Sequence, residues 1–263
     1  MKLSIAPLFS SSSGNSIYIG SEKTNILLDA GVAGSKIEKS LKEIGILADK
    51  LDGILVSHEH TDHIKSIGVL SRKYDIPIYA NEKTWLGMEK KIGPVSSKNI
   101  VVIDHEDFYI GEIGVNPYSV SHDGADTFGY SFYHQDKKIS IMTDLGVATK
   151  KLAECVSGSN IVLLEANHDV EMLKCSKYPY YLKRRILSNK GHLSNEDSAK
   201  MAYELVQRGV KGILLGHLSR QNNFYELAYQ TVAGYLTKMG AVPGKDVALA
   251  VAYRDKTTGF FKV

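Results

Sequence analysis

Cysteine is nearly absent from this chain of 263 residues. The two present, Cys155 and Cys175, are too few for a disulfide framework and lack the paired spacing of a zinc ribbon, so a reducing compartment is expected. No run of about 18 apolar residues occurs, which excludes a membrane-spanning helix. The opening Leu3-Ser4-Ile5-Ala6-Pro7-Leu8-Phe9 is too short and too interrupted by proline to be the apolar core of a secretion signal. These absences point to the cytoplasm. An excess of charge of one sign is lacking too: 32 basic and 29 acidic side chains leave +3, so contact with a polyanion would have to rest on a local patch. Linker and low-complexity segments are missing. With 43% apolar and 23% charged residues, the chain reads as one globular domain over 1–263, long enough for a substantial core.

What is present is an alternation of short apolar runs and helical stripes. Residues 3–9, 17–20 and 25–29 predict three strands separated by Ser/Gly/Asn-rich turns. A helix is expected over 35–45, a strand over 52–56, a helix carrying Ile64, Ile67, Val69, Leu70 and Tyr74, a strand at 78–80, a helix over 82–92 around the single Trp85 and a strand over 99–103. From 107 to 143 the pattern turns to β, with separate strands expected at 108–110, 113–115, 118–120, 130–133 and 138–142. Helices at 148–155 and 223–239, strands at 161–165 and 247–252 and an extended end at 258–262 complete it. Between the last two helices, Ser194 with Asp197 forms a capping-box pattern ahead of a helix that Gly209 ends. Two similar halves emerge, each β followed by α/β, which predicts an α/β (α+β) fold with two sheets face to face and helices outside.

Chemistry concentrates at Val56-Ser57-His58-Glu59-His60-Thr61-Asp62-His63, where three of the nine histidines fall within six positions directly after an apolar strand. Imidazole and carboxylate suit a divalent first-row metal. His58 and His60 can point one way from an extended chain while Asp62 and His63 face another as a helix begins, so one segment could serve two metals. Further ligand-type residues stand at predicted strand ends: Asp29, which could orient a ligating His or simply shape a turn, then His122, Asp144 and His217. His192 lies just outside the N-terminus of the helix that Ser194 opens. The serine-rich turn 10–16, including Ser13, is either a flexible hairpin tip or a holder of phosphate oxygens. Asn167 and His168, after the strand at 161–165, either contact substrate or support the ligands. From Lys174 to Lys190 six basic residues and three tyrosines occur without an acid, a combination that suits single-stranded nucleic acid and equally a solvated surface helix.

His58-x-His60-x-Asp62-His63 after a strand, the upstream Leu-Leu-Asp29-Ala-Gly and the later His122, Asp144 and His217 resemble the metallo-β-lactamase fold, a four-layer αββα sandwich. That resemblance implies two divalent cations, Zn²⁺ or Mn²⁺ with Fe also compatible. His58, His60 and His122 would hold one, Asp62, His63 and His217 the other, with Asp144 bridging and a shared hydroxide as nucleophile. Gly191-His192-Leu-Ser and Leu-Leu-Gly-His217-Leu-Ser resemble the C-terminal histidine motifs of the family's nucleases, which implies His192 as the acid for the leaving oxygen. With Ser-Ser-Ser-Gly-Asn-Ser near the start and Leu-Glu-Ala-Asn167-His168-Asp in the middle, the set is most similar to the YycJ (WalJ) group, implying a 5′→3′ exonuclease on DNA rather than RNA, with Asp62 and His192 in the catalytic centre. The alternatives are hydrolysis of a small phosphodiester, ester or thioester on the same centre, processing of tRNA or other RNA, and a metal-stabilised binding protein without turnover.

Overall fold

The computed structural model describes residues 2–263. Its strands form two seven-stranded sheets. The first takes β1 (Ser4–Ser11), β2 (Gly14–Gly20), β3 (Asn25–Leu28), β4 (Gly53–Leu55), β5 (Ile78–Asn81) and β6 (Ile100–Ile103) in chain order; β1 to β3 are antiparallel and β3 to β6 parallel. The second repeats the plan with β7 (Phe108–Ile110), β8 (Ile113–Ser119), β9 (Phe128–His134), β10 (Lys137–Met142), β11 (Ile161–Glu165), β12 (Gly212–Gly216) and β13 (Ala248–Val251), antiparallel up to β10 and parallel from there. The last strand, β14 (Phe261–Lys262), returns to the first sheet beside β1.

Strands that are apolar at every position divide their side chains between two cores, because neighbours point to opposite faces. Ile26 and Leu28 meet Ile139, Ile141, Ile161 and Leu163 between the sheets. Leu27 and Ile54 point the other way, onto Ile37 and Leu41 of α1 (Gly34–Glu43) and onto residues of the helices that follow. Those helices are α2 (Thr61–Ile64), α3 (Ile67–Tyr74) and α4 (Glu82–Ile92), the last carrying the buried Trp85. On the far side Val162, Leu164, Ile213 and Leu215 pack with α5 (Lys150–Cys155), with α8 (Asn195–Gln207), capped by Ser194 as its sequence predicts, and with α9 (Tyr225–Lys238). The short α6 (Val170–Cys175) and α7 (Tyr180–Ile186) lie in the basic stretch. The layers run α, β, β, α, the order implied by the resemblance. Among the described residues no helix is long and apolar enough to cross a membrane.

Two expectations need correction. The single helix after the histidine cluster is broken into α2 and α3, because at the break Ser66 donates its backbone N–H to Ala30 O (2.9 Å) and its hydroxyl to Val32 O (2.6 Å). Those bonds tie the helical segment to the chain leaving β3, and Val69 is left exposed. The strands expected at 113–115 and 118–120 are one strand, β8, with Pro117 inside it. Since β7 pairs only as far as Val115, Pro117 has a neighbour on one side alone, where a missing N–H is tolerated.

Parallel strands of both sheets end at the same edge. Asp29 follows β3, the histidine cluster follows β4, Asp144 follows β10, Glu165 closes β11 and His217 follows β12. Carboxyl ends of parallel strands are where an α/β sheet opens a crevice for ligands. Gly31 is the hinge of this edge. A Cβ there would lie 1.5 Å from Asp62 O and 2.8 Å from Asn15 N, so the chain after β3 passes against the backbone of α2 with no space for a methyl group. Gly31→Ala is expected to cost about 3 kcal/mol and to lower the melting temperature by roughly 5 °C or more, measured by thermal unfolding.

Candidate metal and catalytic centre

The seven ligand-type residues expected to converge are brought together. His58 Nε2 and His60 Nδ1 face each other at 2.9 Å, and the His122 ring lies 5.0 Å from His58 and 5.2 Å from His60, centroid to centroid. Asp144 sits among the remaining ones, with His63 Nε2 3.4 Å, His217 Nε2 3.3 Å and His122 Nε2 3.8 Å from its carboxylate. Asp62 Oδ2 approaches His63 Nε2 at 3.5 Å. Side-chain nitrogens and oxygens within reach of a common cation fall into overlapping groups: His58, His60 and His122; His58, His63 and Asp144; and Asp144, Glu165, His192 and His217.

Neighbouring groups aim these donors. Asp29 accepts from Ser57 N (2.8 Å) and Ser57 Oγ (2.8 Å) and meets His63 Nδ1 at 2.7 Å, while Ser57 Oγ also touches His58 Nδ1 at 3.0 Å. With Nδ1 of both rings engaged, their Nε2 atoms turn to the centre. His122 Nδ1 is 3.1 Å from Gly191 O, a pure acceptor, so the proton is on Nδ1 and Nε2 carries the lone pair. Asp29, Asp144 and His217 have φ of 60°, 57° and 57°. Left-handed backbone at non-glycine residues costs on the order of 1–3 kcal/mol each, and here it turns the chain sharply at three strand ends so that each side chain enters the crevice.

Electrostatics favour metal-competent protonation states. Burial lowers the imidazole pKa values of His58, His122 and His217, leaving neutral rings with free lone pairs. His63 is the exception: burial opposes its charge, but Asp144, Asp29 and Asp62 outweigh that and raise it well above the usual imidazole value. Burial likewise opposes ionisation of Asp144, yet His217 and His63 hold it well below the ordinary carboxylate range. Asp62 is lowered to about 2, His63 overcoming the effect of burial. Among the described residues, Asp144 Oδ2 and both ring nitrogens of His217 are buried with no hydrogen-bond partner. Unsatisfied buried lone pairs of a carboxylate and an imidazole, facing one another, fit divalent cations of the kind that N/O donors bind.

His192 stands beside this group, its ring 5.1 Å from His122 and 5.2 Å from His217. It is held from behind by a residue that the sequence does not single out: Glu165 Oε1 lies 2.7 Å from His192 Nδ1, and Glu165 Oε2 accepts from Leu145 N (2.9 Å) and Leu193 N (3.4 Å). Burial pushes the Glu165 carboxyl up to about 8 and pulls the His192 imidazole down. The available signal was its position, an acid closing a buried strand as Asp29 and Asp144 follow theirs. Asp123, next in sequence to His122, is a second addition: it lies 3.4 Å from His122 Nε2 and 3.6 Å from His60 Nε2, and Arg185 of α7 grips it at 2.5 and 2.9 Å.

The three residues proposed for substrate lie in different settings. Asn167 is buried and spends its amide on His217 O (2.9 Å), a brace for the turn that carries His217. His168 is buried beside His192 with neither ring nitrogen hydrogen-bonded, its pKa lowered to about 4 by burial and then by His192. Ser13 is exposed at the hairpin tip, 3.0 Å from Ser11 Oγ and 3.2 Å from Arg220 Nε. Two of the three tyrosines of the basic stretch do not pack inward: Tyr180 and Tyr181 are 75% and 74% exposed, whereas Tyr178 is half-buried.

The family model described as "Beta-lactamase superfamily domain" matches residues 24–216. The exodeoxyribonuclease YycJ of Bacillus anthracis is 41% identical over 241 residues, 91% of each chain. The exodeoxyribonuclease WalJ of Streptococcus pneumoniae is 43% identical over 255 residues, 95% of this chain and 94% of that one. Among solved structures, the metallo-β-lactamase fold protein YhfI of Bacillus subtilis superposes with a TM-score of 0.75 at 14% identity, covering all of both chains. A crevice of imidazoles and carboxylates at the shared edge of two sheets, a family model over most of the length and relatives above 40% identity together establish that this chain belongs to the metallo-β-lactamase superfamily, within its YycJ/WalJ group.

Proposed function

We propose that the protein is a metal-dependent nuclease that hydrolyses phosphodiester bonds of DNA from an end, in the 5′→3′ direction. The observation that carries this is the convergence of seven metal-type ligands with a carboxylate-held imidazole, His192, at the edge of the same crevice. In this reading His58, His60 and His122 would hold one cation and Asp62, His63 and His217 a second, with Asp144 available as a ligand to both. The names of its relatives, both exodeoxyribonucleases, favour DNA over RNA and a polymer over a small ester.

Two divalent cations bound there would supply an activated water and offset charge on the phosphoryl oxygens. The chain's own contribution is positional and protonic. Asp29 and Ser57 fix the rings of His63 and His58, and Asn167 fixes the turn of His217. His192 donates a proton to the departing oxygen, through Nε2, because Nδ1 is occupied by Glu165. Glu165 acts through His192: its carboxylate stabilises the imidazolium and keeps the ring from rotating. Along the approach to the crevice, exposed Tyr181 precedes Arg185 by one helical turn, and Arg184 lies 5.9 Å over the Tyr180 ring, a surface able to stack bases and meet phosphates.

Four outcomes test the reading. With Mn²⁺ or Zn²⁺ the protein should degrade labelled single- or double-stranded DNA, and chelation should abolish this. Cleavage of bis-p-nitrophenyl phosphate or a lactone with no polymer degradation would overturn it. Asp144→Asn should reduce bound metal, from about two ions per chain, as read by elemental analysis. His192→Ala should lower kcat by about 10²–10⁴-fold with metal content unchanged. Glu165→Gln should lower kcat less and shift the basic limb of the pH profile to lower pH, because removing the carboxylate weakens the hold of His192 on its proton.

A further inference from the structure

We propose a second anion site beside the metal centre: a pocket for the terminal phosphomonoester of the strand being digested. A cavity of about 180 Å³ opens between the β1–β2 hairpin and the segments that follow β3, α2, β12 and β13. Ser11 and Ser13 line it from the hairpin, Lys36 and Lys65 from the first half of the chain, and Arg220 and Arg254 from the second. One carboxylate, Asp255, belongs to the wall, with Arg220 Nη2 4.0 Å away. Four cations against one acid, with two hydroxyls, suit an oxyanion carrying about −1.5 to −2 charges and three acceptor oxygens, as a phosphomonoester does.

The walls are built rather than incidental. Asn15 closes the hairpin by accepting from Ser11 N (3.1 Å) and donating to Ser11 O (2.9 Å), while Ser13 N reaches Ser11 Oγ (3.3 Å). Arg254 is held at Nη1 by Ser219 O and Asn223 O and lies over the Tyr225 ring at 4.7 Å. The cavity also sits at the correct edge. Asn15 Nδ2 is 3.1 Å from His63 Nε2, Gly31 in the wall touches the backbone of Asp62, and Arg220 follows His217 by three residues. The hairpin and wall of the pocket thus include two residues, Asn15 and Gly31, that reach His63 and Asp62 directly. A strand whose scissile phosphate lies in the crevice would direct its terminal phosphate toward this cavity, where the end of the chain rather than its sequence is read.

The occupant rests on the nuclease reading; the charge and position of the pocket do not. Binding of the metal-loaded protein to a phosphorothioate-linked single strand, unphosphorylated, 5′-phosphorylated or 3′-phosphorylated, is measured by fluorescence anisotropy, with kcat/KM on the same strands in ordinary linkage. A phosphate at one end is expected to tighten binding about tenfold and raise kcat/KM similarly, and the two arms identify which end. Lys65→Ala/Arg220→Ala, at two exposed positions, should abolish that preference, with circular dichroism reporting the fold; Lys151→Ala/Lys211→Ala, at exposed positions elsewhere, should keep it. Equal binding of all three strands overturns the proposal, as does a preference that survives the first double variant or is lost equally in the second. A protein that prefers a phosphorylated end yet degrades no polymer retains the pocket and loses the nuclease reading, whereas one that degrades DNA without end preference does the reverse.

Discussion

Asp144 is a carboxylate almost wholly removed from water, and leaving such a charge buried costs several kcal/mol unless opposite charge or ligation meets it. Four imidazoles crowd around it, from His63, His122, His192 and His217, and they come from both halves of the chain. No single sheet could supply them. The requirement that one buried acid be surrounded explains why strands from two sheets must end at one edge, and why three non-glycine residues there accept a left-handed backbone.

Around that acid the supporting bonds form a hierarchy. Asp29 fixes Ser57 and His63, Ser57 reaches His58, Gly191 O fixes His122, and Glu165 fixes His192 while its other oxygen is held by two backbone amides. For His58, His63 and His122 the supporting group engages Nδ1, so Nε2 is the nitrogen turned to the centre; His192 instead keeps Nδ1, the atom Glu165 holds, 4.0 Å from Asp144. Such outer bonds make a ligand rigid before any ion arrives and raise its basicity. The same logic extends outward through Asp123 to Arg185, which anchors the basic, tyrosine-bearing helix α7 against the crevice mouth.

How much of this could be read from the residues alone follows from how local each feature is. The six-residue histidine cluster was legible because its chemistry is dense in sequence, and α8 because Ser194 with Asp197 opens it and Gly209 ends it. His122, Asp144 and His217 were each ordinary turn residues, and gained meaning only from their shared position after strands. The break between α2 and α3 was not legible, since a bond from Ser66 to Ala30 decides it and the apolar stripe runs straight through. Nor was the unity of β8, where the length of a neighbouring strand determines whether Pro117 is tolerated. Glu165 escaped because its partner is 27 residues away and its own setting is that of any buried strand. The direction in which Tyr180 and Tyr181 face depends on where α7 docks, which composition does not carry.

The β1–β2 hairpin connects remote parts of the chain: Asn15 touches His63, and Ser10 Oγ accepts from His217 N across 207 residues of sequence. Contacts of such long range form late, because loop closure must precede them. The ligands His63 and His217 are therefore braced only once this hairpin has closed on both halves of the chain. Loosening this one clasp would unseat two of the metal-type ligands, His63 and His217, while both sheets still stood.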